Sequence, residues 1–243
     1  MHYFLIFRGD NLDVTCASIE LLRSNAKFRD MSAWYHIVWV LDTQNATDAH
    51  KMRLYVNGSE ITSFSGDERD NAVLDGTDMP ILNNLAHYLG KYGGDNSRNF
   101  EGYLARTELV EGEALTPESF GETKNGVWIA KAYTGSHGTY GFRLKYEETG
   151  TSQNASGIGA DDSGSTNHWA VSNLASTDSN VLDCPENNFA TMFKLAQGGT
   201  TTNDMTITEG NLSLLHTTSG QWQGHKGTFP VKSGKWYYEV QIH

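Results

Sequence analysis

The sequence predicts an all-β protein, and three observations carry that prediction. Charged residues make up only 19% of the 243 positions while glycine alone occupies 25 of them, a composition that suits short strands joined by many turns rather than extended helices. The run Ala33–Leu41 is β-branched and aromatic on both alternating faces, as a strand covered on two sides would be. Further along, Asn57-Gly58 separates two alternating stretches, and Asn-Gly is favoured in type I′ hairpin turns because both residues tolerate positive φ.

Taken in order, Met1–Phe7 reads as a strand: it is apolar but lacks a basic leader and runs directly into Arg8-Gly9-Asp10, so it is not a targeting segment. Ala33–Leu41 is the core strand, with His36 a satisfied imidazole within it. A polar loop follows over Asp42–His50. Met52, Leu54 and Val56 then alternate with Arg53 and Tyr55 toward the Asn57-Gly58 turn, and Glu60–Phe64 is the expected return strand. Gly66–Pro80 is acidic and loop-like, Ala86–Gly90 suggests a short strand, and Tyr92–Arg98 a glycine-rich turn. Phe100–Leu109 alternates again, with Gly102 marking a bulge or a close backbone approach. In Thr116–Gly121 the Thr caps and the Pro occupies the first position of a single helical turn. Beyond Asn125 the character changes, and Glu148–Thr166 is dominated by Ser, Gly, Thr, Asn and Asp, as in a long loop or an inter-domain connection. Lys235–Ile242 is a strand by composition, close enough to the last residue that the chain is expected to be cut from a longer one.

The 29 acidic against 18 basic side chains give a formal charge of −11, which repels a phosphate backbone and argues against nucleic acid as a partner. No run approaches the roughly 20 apolar residues of a membrane helix, so membrane insertion is not expected. Cys16 and Cys184 fit neither a disulfide framework nor a CxxC site and read as free thiols. The nine histidines are scattered without an HExxH pattern. The glycine pairs lack the lysine of a phosphate loop, and there is no GxSxG nucleophile elbow.

Three sets of residues carry a resemblance. Trp34-Tyr35-His36-Ile37-Val38, then Arg53-Leu54-Tyr55-Val56-Asn57-Gly58, then Phe100-Glu101-Gly102-Tyr103-Leu104-Ala105 with Ala114-Leu115-Thr116, resemble the second half of a concanavalin A-like/laminin G-like domain over about residues 30 to 121. Gly126–Ile129, Gly135–Phe142, Asp162-Ser163-Gly164 and Pro185–Phe189 look like the middle of bacteriophage tail-fibre or other virion appendage proteins. Gly210-Asn211-Leu212 and Ser233–Val240 are similar to the opening strand of a SPRY domain. The resemblance implies an antiparallel β-sandwich of the concanavalin A-like jelly-roll kind with a loop-rich second β region. Its domains would be a sandwich over 1–124, a connecting region over 125–205 and the first strands of a truncated SPRY-like domain over 206–243.

The same resemblance implies a non-enzymatic surface-recognition module of a tail fibre or virion appendage, located on the virion or otherwise extracellular. Its partner would be host-surface polysaccharide or another virion protein, and a homotrimer is compatible with that setting. A purely structural spacer and a polysaccharide depolymerase are the alternatives. Glucanases of this fold take their carboxylates from an alternating Glu-x-Asp-x-Glu strand, whereas Asp67-Glu68-Arg69-Asp70 does not alternate and Glu101 and Glu108 stand too far apart. Calcium is the one cofactor suggested, with Asp95 and Asn96 as candidate ligands and Asp161 and Asp162 as a weaker pair. A polar turn in which Asp or Asn bonds its own backbone is the other reading of both. Sugar rings stack on aromatic faces, so Tyr88, Tyr92, Tyr133, Tyr140 and Trp169 are candidate platform residues, with Asn96 and Arg98 as polar contacts beside Tyr88 and Tyr92.

Overall fold

A computed structural model describes residues 3–16, 19–30, 33–75, 86–92, 99–199, 205–216 and 223–242. Among these the fold is all-β, its one α-helix being the single turn α1 (Asp48–Lys51), and every pairing between named strands is antiparallel. The chain divides into two compact units, residues 1–30 with 34–180, and residues 31–33 with 181–243.

The first unit is built around two sheets. One has the order β1 (Tyr3–Arg8), β2 (Asn11–Cys16), β3 (Ile19–Ser24) and then β7 (Phe64–Asp67). The other joins β4 (Ile37–Leu41), β5 (Met52–Val56) and β6 (Ser59–Glu60). Alternation explains how both contribute to one core. Leu12, Val14 and Cys16 of β2, Leu21 and Leu22 of β3, and Met52 and Leu54 of β5 are fully buried in a single cluster, with Ile37, Trp39 and Leu41 of β4 packed against it. The opposite face of the second sheet places Val38, Val40 and Tyr55 against Phe120, so β4 is covered on both sides as its composition predicts. Each fully buried leucine contributes about 2 kcal/mol of transfer free energy.

A bulge shapes the first sheet. The β2–β3 register passes from Val14 opposite Leu22 to Thr15 opposite Glu20, which leaves Leu21 as the extra residue and sends two consecutive leucines into the core. On β2 the side chain of Asp13 is fully buried, with Arg8 Nε at 2.7 Å and Arg23 Nε at 3.8 Å. Glu20 pairs with the same two arginines.

Several elements differ from expectation. The strand expected from Ala33 begins at Ile37, because the His36 N–H is bonded to the Asn57 side chain rather than to a strand backbone. The return strand after Asn57-Gly58 is divided: β6 pairs with β5, whereas β7 has left to pair with β3. Ala86–Gly90 is not a strand, and of Phe100–Leu109 only β8 (Thr107–Leu109) is one. At Gly102 there is neither a bulge nor an approaching backbone: a Cβ there would meet the side-chain ring of Phe100 at 2.7 Å. The turn at Thr116 forms as a 3-10 helix over Pro117–Ser119, with Pro in its first turn. A second Asn-Gly hairpin, β9 (Gly121–Lys124) to β10 (Val127–Ala130), turns through Asn125 and Gly126 at φ 52° and 81°. β11 (Phe142–Leu144) then returns to pair with β8. The stretch 148–166 holds no named strand, in keeping with a long loop.

In the second unit β12 (Met192–Gly199) pairs with β15 (Gln223–Gly227), and β13 (Met205–Thr208) with β14 (Ser213–His216). Residues 235–242 do not form the expected strand and are exposed along their length. Both cysteines are free thiols.

Candidate ligand-binding cleft

The pairing of β11 with β8 places Arg143 opposite Glu108. The loop leaving β10 is anchored at its start by Lys131 N–H donating to Phe120 O at 2.8 Å. Here lies an open cleft of about 460 Å³ lined by Ala132, Tyr133, Thr134, Gly135, His137, Arg143 and Ser163. That volume falls within the roughly 300–1,000 Å³ of small-molecule sites.

Arg143, His137 and Ser163 are held by neighbouring groups. Arg143 Nη1 donates to Tyr133 O at 3.1 Å, and Nη2 donates to Asp162 O at 2.9 Å and to Asp162 Oδ2 at 2.8 Å. Its Nε is buried without a hydrogen-bond partner. Lys145 reaches the same Asp162 oxygen at 2.7 Å, and its hydrogen bond, followed by that of Arg143, holds the Asp162 carboxyl below the usual carboxylate range against the opposing effect of burial. His137 is buried, its Nε2 lying 3.1 Å from Glu108 Oε2, while Arg106 Nε stands 3.7 Å from the other Glu108 oxygen. The Tyr133 ring meets His137 edge-on at 5.3 Å and Phe120 at 5.3 Å. Burial first, and the charge of Glu113 second, raise the Tyr133 phenol above its ordinary pKa. At Gly135 a Cβ would stand 2.2 Å from the Tyr133 hydroxyl oxygen, so a side chain there would displace the phenol.

Asp161 organises the loop behind the cleft. It accepts from Arg143 N at 2.8 Å, Ser163 N at 2.9 Å, Ser163 Oγ at 3.0 Å and Asn167 N at 2.8 Å. Burial works to raise its pKa, but these bonds together hold it below the usual range. Asn167 Nδ2 in turn donates to Thr139 O and Gly141 O, both at 2.9 Å. Asp161 is therefore a polar-turn residue that bonds its neighbouring backbone.

Of the candidate platform residues, the structure brings only Tyr133 into this cleft. Tyr140 is exposed, and Trp169 packs on Phe142 at 4.9 Å. Tyr88 is half-exposed with Lys91 Nζ 5.3 Å from its ring centroid, and Tyr92 is partly buried. Asp95, Asn96 and Arg98 lie outside the described residues. Among the described residues no group of three or more His, Cys, Asp or Glu side chains is placed to hold a metal ion, and no helix is long and apolar enough to cross a membrane. Sequence reasoning missed Thr134, His137, Arg143 and Ser163, which converge only through the β8–β11 pairing and the Asp161 loop. No family model, curated protein or solved structure matches the chain.

Proposed function

We propose that this chain is a non-enzymatic surface-recognition module of a tail fibre or similar virion appendage, displayed on the virion and binding a host-surface glycan. The observation that carries the glycan reading is the cleft itself: an aromatic ring, a guanidinium and hydroxyls converge in an open concavity in which Arg143, His137 and Ser163 are already held by hydrogen bonds. Preorganisation of this kind reduces the ordering cost of binding, and rings beside hydrogen-bonding groups suit the two chemical faces of a sugar. Two sheets sharing one core support a β-sandwich of the concanavalin A-like jelly-roll type, as do the Trp34–Val38, Arg53–Gly58 and Phe100–Ala105 resemblances. On this reading 1–124 is the sandwich, 125–205 a connecting region and 206–243 the opening of a SPRY-like domain. The test is retention of the folded chain on immobilised bacterial surface polysaccharide, first with calcium and then with a chelator. Retention supports the module, and its loss with chelator shows calcium dependence and directs mutagenesis to Asp95 and Asn96. Passage of the folded chain without retention contradicts glycan recognition.

A second reading, a structural spacer that contacts neighbouring virion subunits, is favoured by one observation. Trp236, Tyr237, Tyr238, Val240 and Ile242 are 66–91% exposed, and apolar surface of that extent suits a protein interface. Concentration-dependent association, for instance to a homotrimer, with no glycan retention supports the spacer; a monomer at all concentrations contradicts it.

A further inference from the structure

Building on the glycan reading, we propose that the Tyr133–Arg143 cleft selects an uncharged pyranose and discriminates against acidic sugars. The reason is the way Arg143 is already committed. A guanidinium recognises a carboxylate by presenting two parallel N–H groups. Here Nη2 gives both of its N–H groups to Asp162, Nη1 gives one to Tyr133 O, and Nε is buried. A single Nη1 N–H is left uncommitted, sufficient for a sugar hydroxyl but not for the carboxylate fork.

The surrounding charges point the same way. Arg143 and Lys145 are both met by Asp162, and the buried Asp161 adds a second carboxylate beside them. Opposite Arg143 in the β8–β11 register, Glu108 lies between His137 and Arg106. Glu111 accepts from Thr139 N and Tyr140 N at the neighbouring turn, and the field of Glu113 reaches the Tyr133 hydroxyl. An incoming carboxylate would have to displace Asp162 within a chain of net charge −11, which costs desolvation and repulsion together. A neutral ring meets neither obstacle: it packs against Tyr133 and exchanges hydrogen bonds with Thr134, Ser163 and the remaining Arg143 N–H.

The experiment titrates the full chain with a neutral hexose tetrasaccharide and with a hexuronate tetrasaccharide of equal length, by calorimetry at two ionic strengths. The expected result is tighter binding of the neutral sugar, insensitive to salt, and weakened about tenfold by Tyr133→Ala. Thr134→Val, at an exposed position, weakens it without a change in melting temperature and so guards against misfolding of the first variant. Asp162→Asn releases Arg143 and Lys145, and is expected to raise hexuronate affinity about tenfold. Preference of the unaltered chain for hexuronate overturns the inference. Neutral binding that survives both cleft variants and disappears with Tyr88→Ala also overturns it, while leaving glycan recognition intact. Absence of binding to both sugars and to the polysaccharide by the folded chain removes the glycan reading and this inference with it.

Discussion

The indole N–H of Trp128 donates to Nδ1 of His36 across 3.0 Å, joining side chains 92 positions apart in the sequence. This bond ties the β9–β10 hairpin to the segment entering β4, and the two rings lie 5.9 Å apart. Burial first, and the positive charge of Arg106 second, lower the His36 pKa below its ordinary 6.5. Because the folded value is the lower one, the unfolded chain takes up this proton first as pH falls. The contribution is fully present above pH 6.5 and declines below it, through the folded pKa. Protonation of Nδ1 also removes the acceptor for Trp128. Melting temperature is expected to fall between pH 7 and pH 5, with a smaller step in His36→Asn. An equal step in both proteins contradicts the assignment. The depressed pKa values of Asp67, Asp161 and Asp162 act lower, their stabilisation being lost as pH falls below their ordinary 3.8.

Trp128 also explains two glycines. A Cβ at Gly58 or at Gly121 would lie 2.4 Å from its ring, and Gly58 additionally has φ 78°. Gly58→Ala and Gly121→Ala are each expected to cost about 2 kcal/mol in urea unfolding. Gly126→Ala, at φ 81° but with open space around it, is expected to cost about 1 kcal/mol, for backbone conformation alone. A negligible loss for Gly121→Ala, which has no positive φ, together with a loss for Gly58→Ala no larger than for Gly126→Ala, would show that packing against Trp128 contributes nothing.

Removing Asp13 leaves Arg8 and Arg23 without their buried partner. Asp13→Ala is therefore expected to destabilise by about 3 kcal/mol, whereas Glu20→Ala, whose side chain is one-third exposed, should cost under about 1 kcal/mol. Chemical denaturation of the two variants checks the order, and a reversal contradicts the burial argument.

The two Asn-Gly turns share a backbone conformation but differ in how the Asn side chain is held. Asn57 Oδ1 accepts from His36 N at 2.9 Å, and Asn57 N donates to His36 O at 2.8 Å. Asn125 sits exposed at the tip of a two-stranded hairpin, where local opening is easier. Attack of the Gly126 amide nitrogen on the Asn125 carboxamide, expelling ammonia to give a succinimide that water opens, is expected to be about tenfold faster than at Asn57, given about 1.4 kcal/mol of extra constraint there. Peptide mapping of an aged sample measures both sites; faster conversion at Asn57 contradicts the comparison.

What was legible in the sequence was local. Asn57-Gly58 announced its hairpin, the two-faced run ending at Leu41 announced β4, and Pro117 announced its helical turn, since each rests on residue chemistry within a few positions. The Leu21 bulge was not legible, because two consecutive leucines look the same until the β2–β3 register is known. Ala86–Gly90 and Lys235–Ile242 have strand-like composition but form no strand in the described structure, and composition alone does not make one. In the cleft only Tyr133 was visible beforehand. Arg143 acquires its role from bonds to Tyr133 and Asp162, 10 and 19 positions away, which no spacing rule encodes.

The central claim is recognition of a sugar in the cleft, and amide chemical-shift mapping of the isotopically labelled full chain with a neutral oligosaccharide tests it most directly. The account predicts saturable shifts centred on Tyr133, Thr134, Arg143 and Ser163. Absence of shifts at saturating sugar, or shifts confined to the region of Tyr88 and Tyr92, would contradict it.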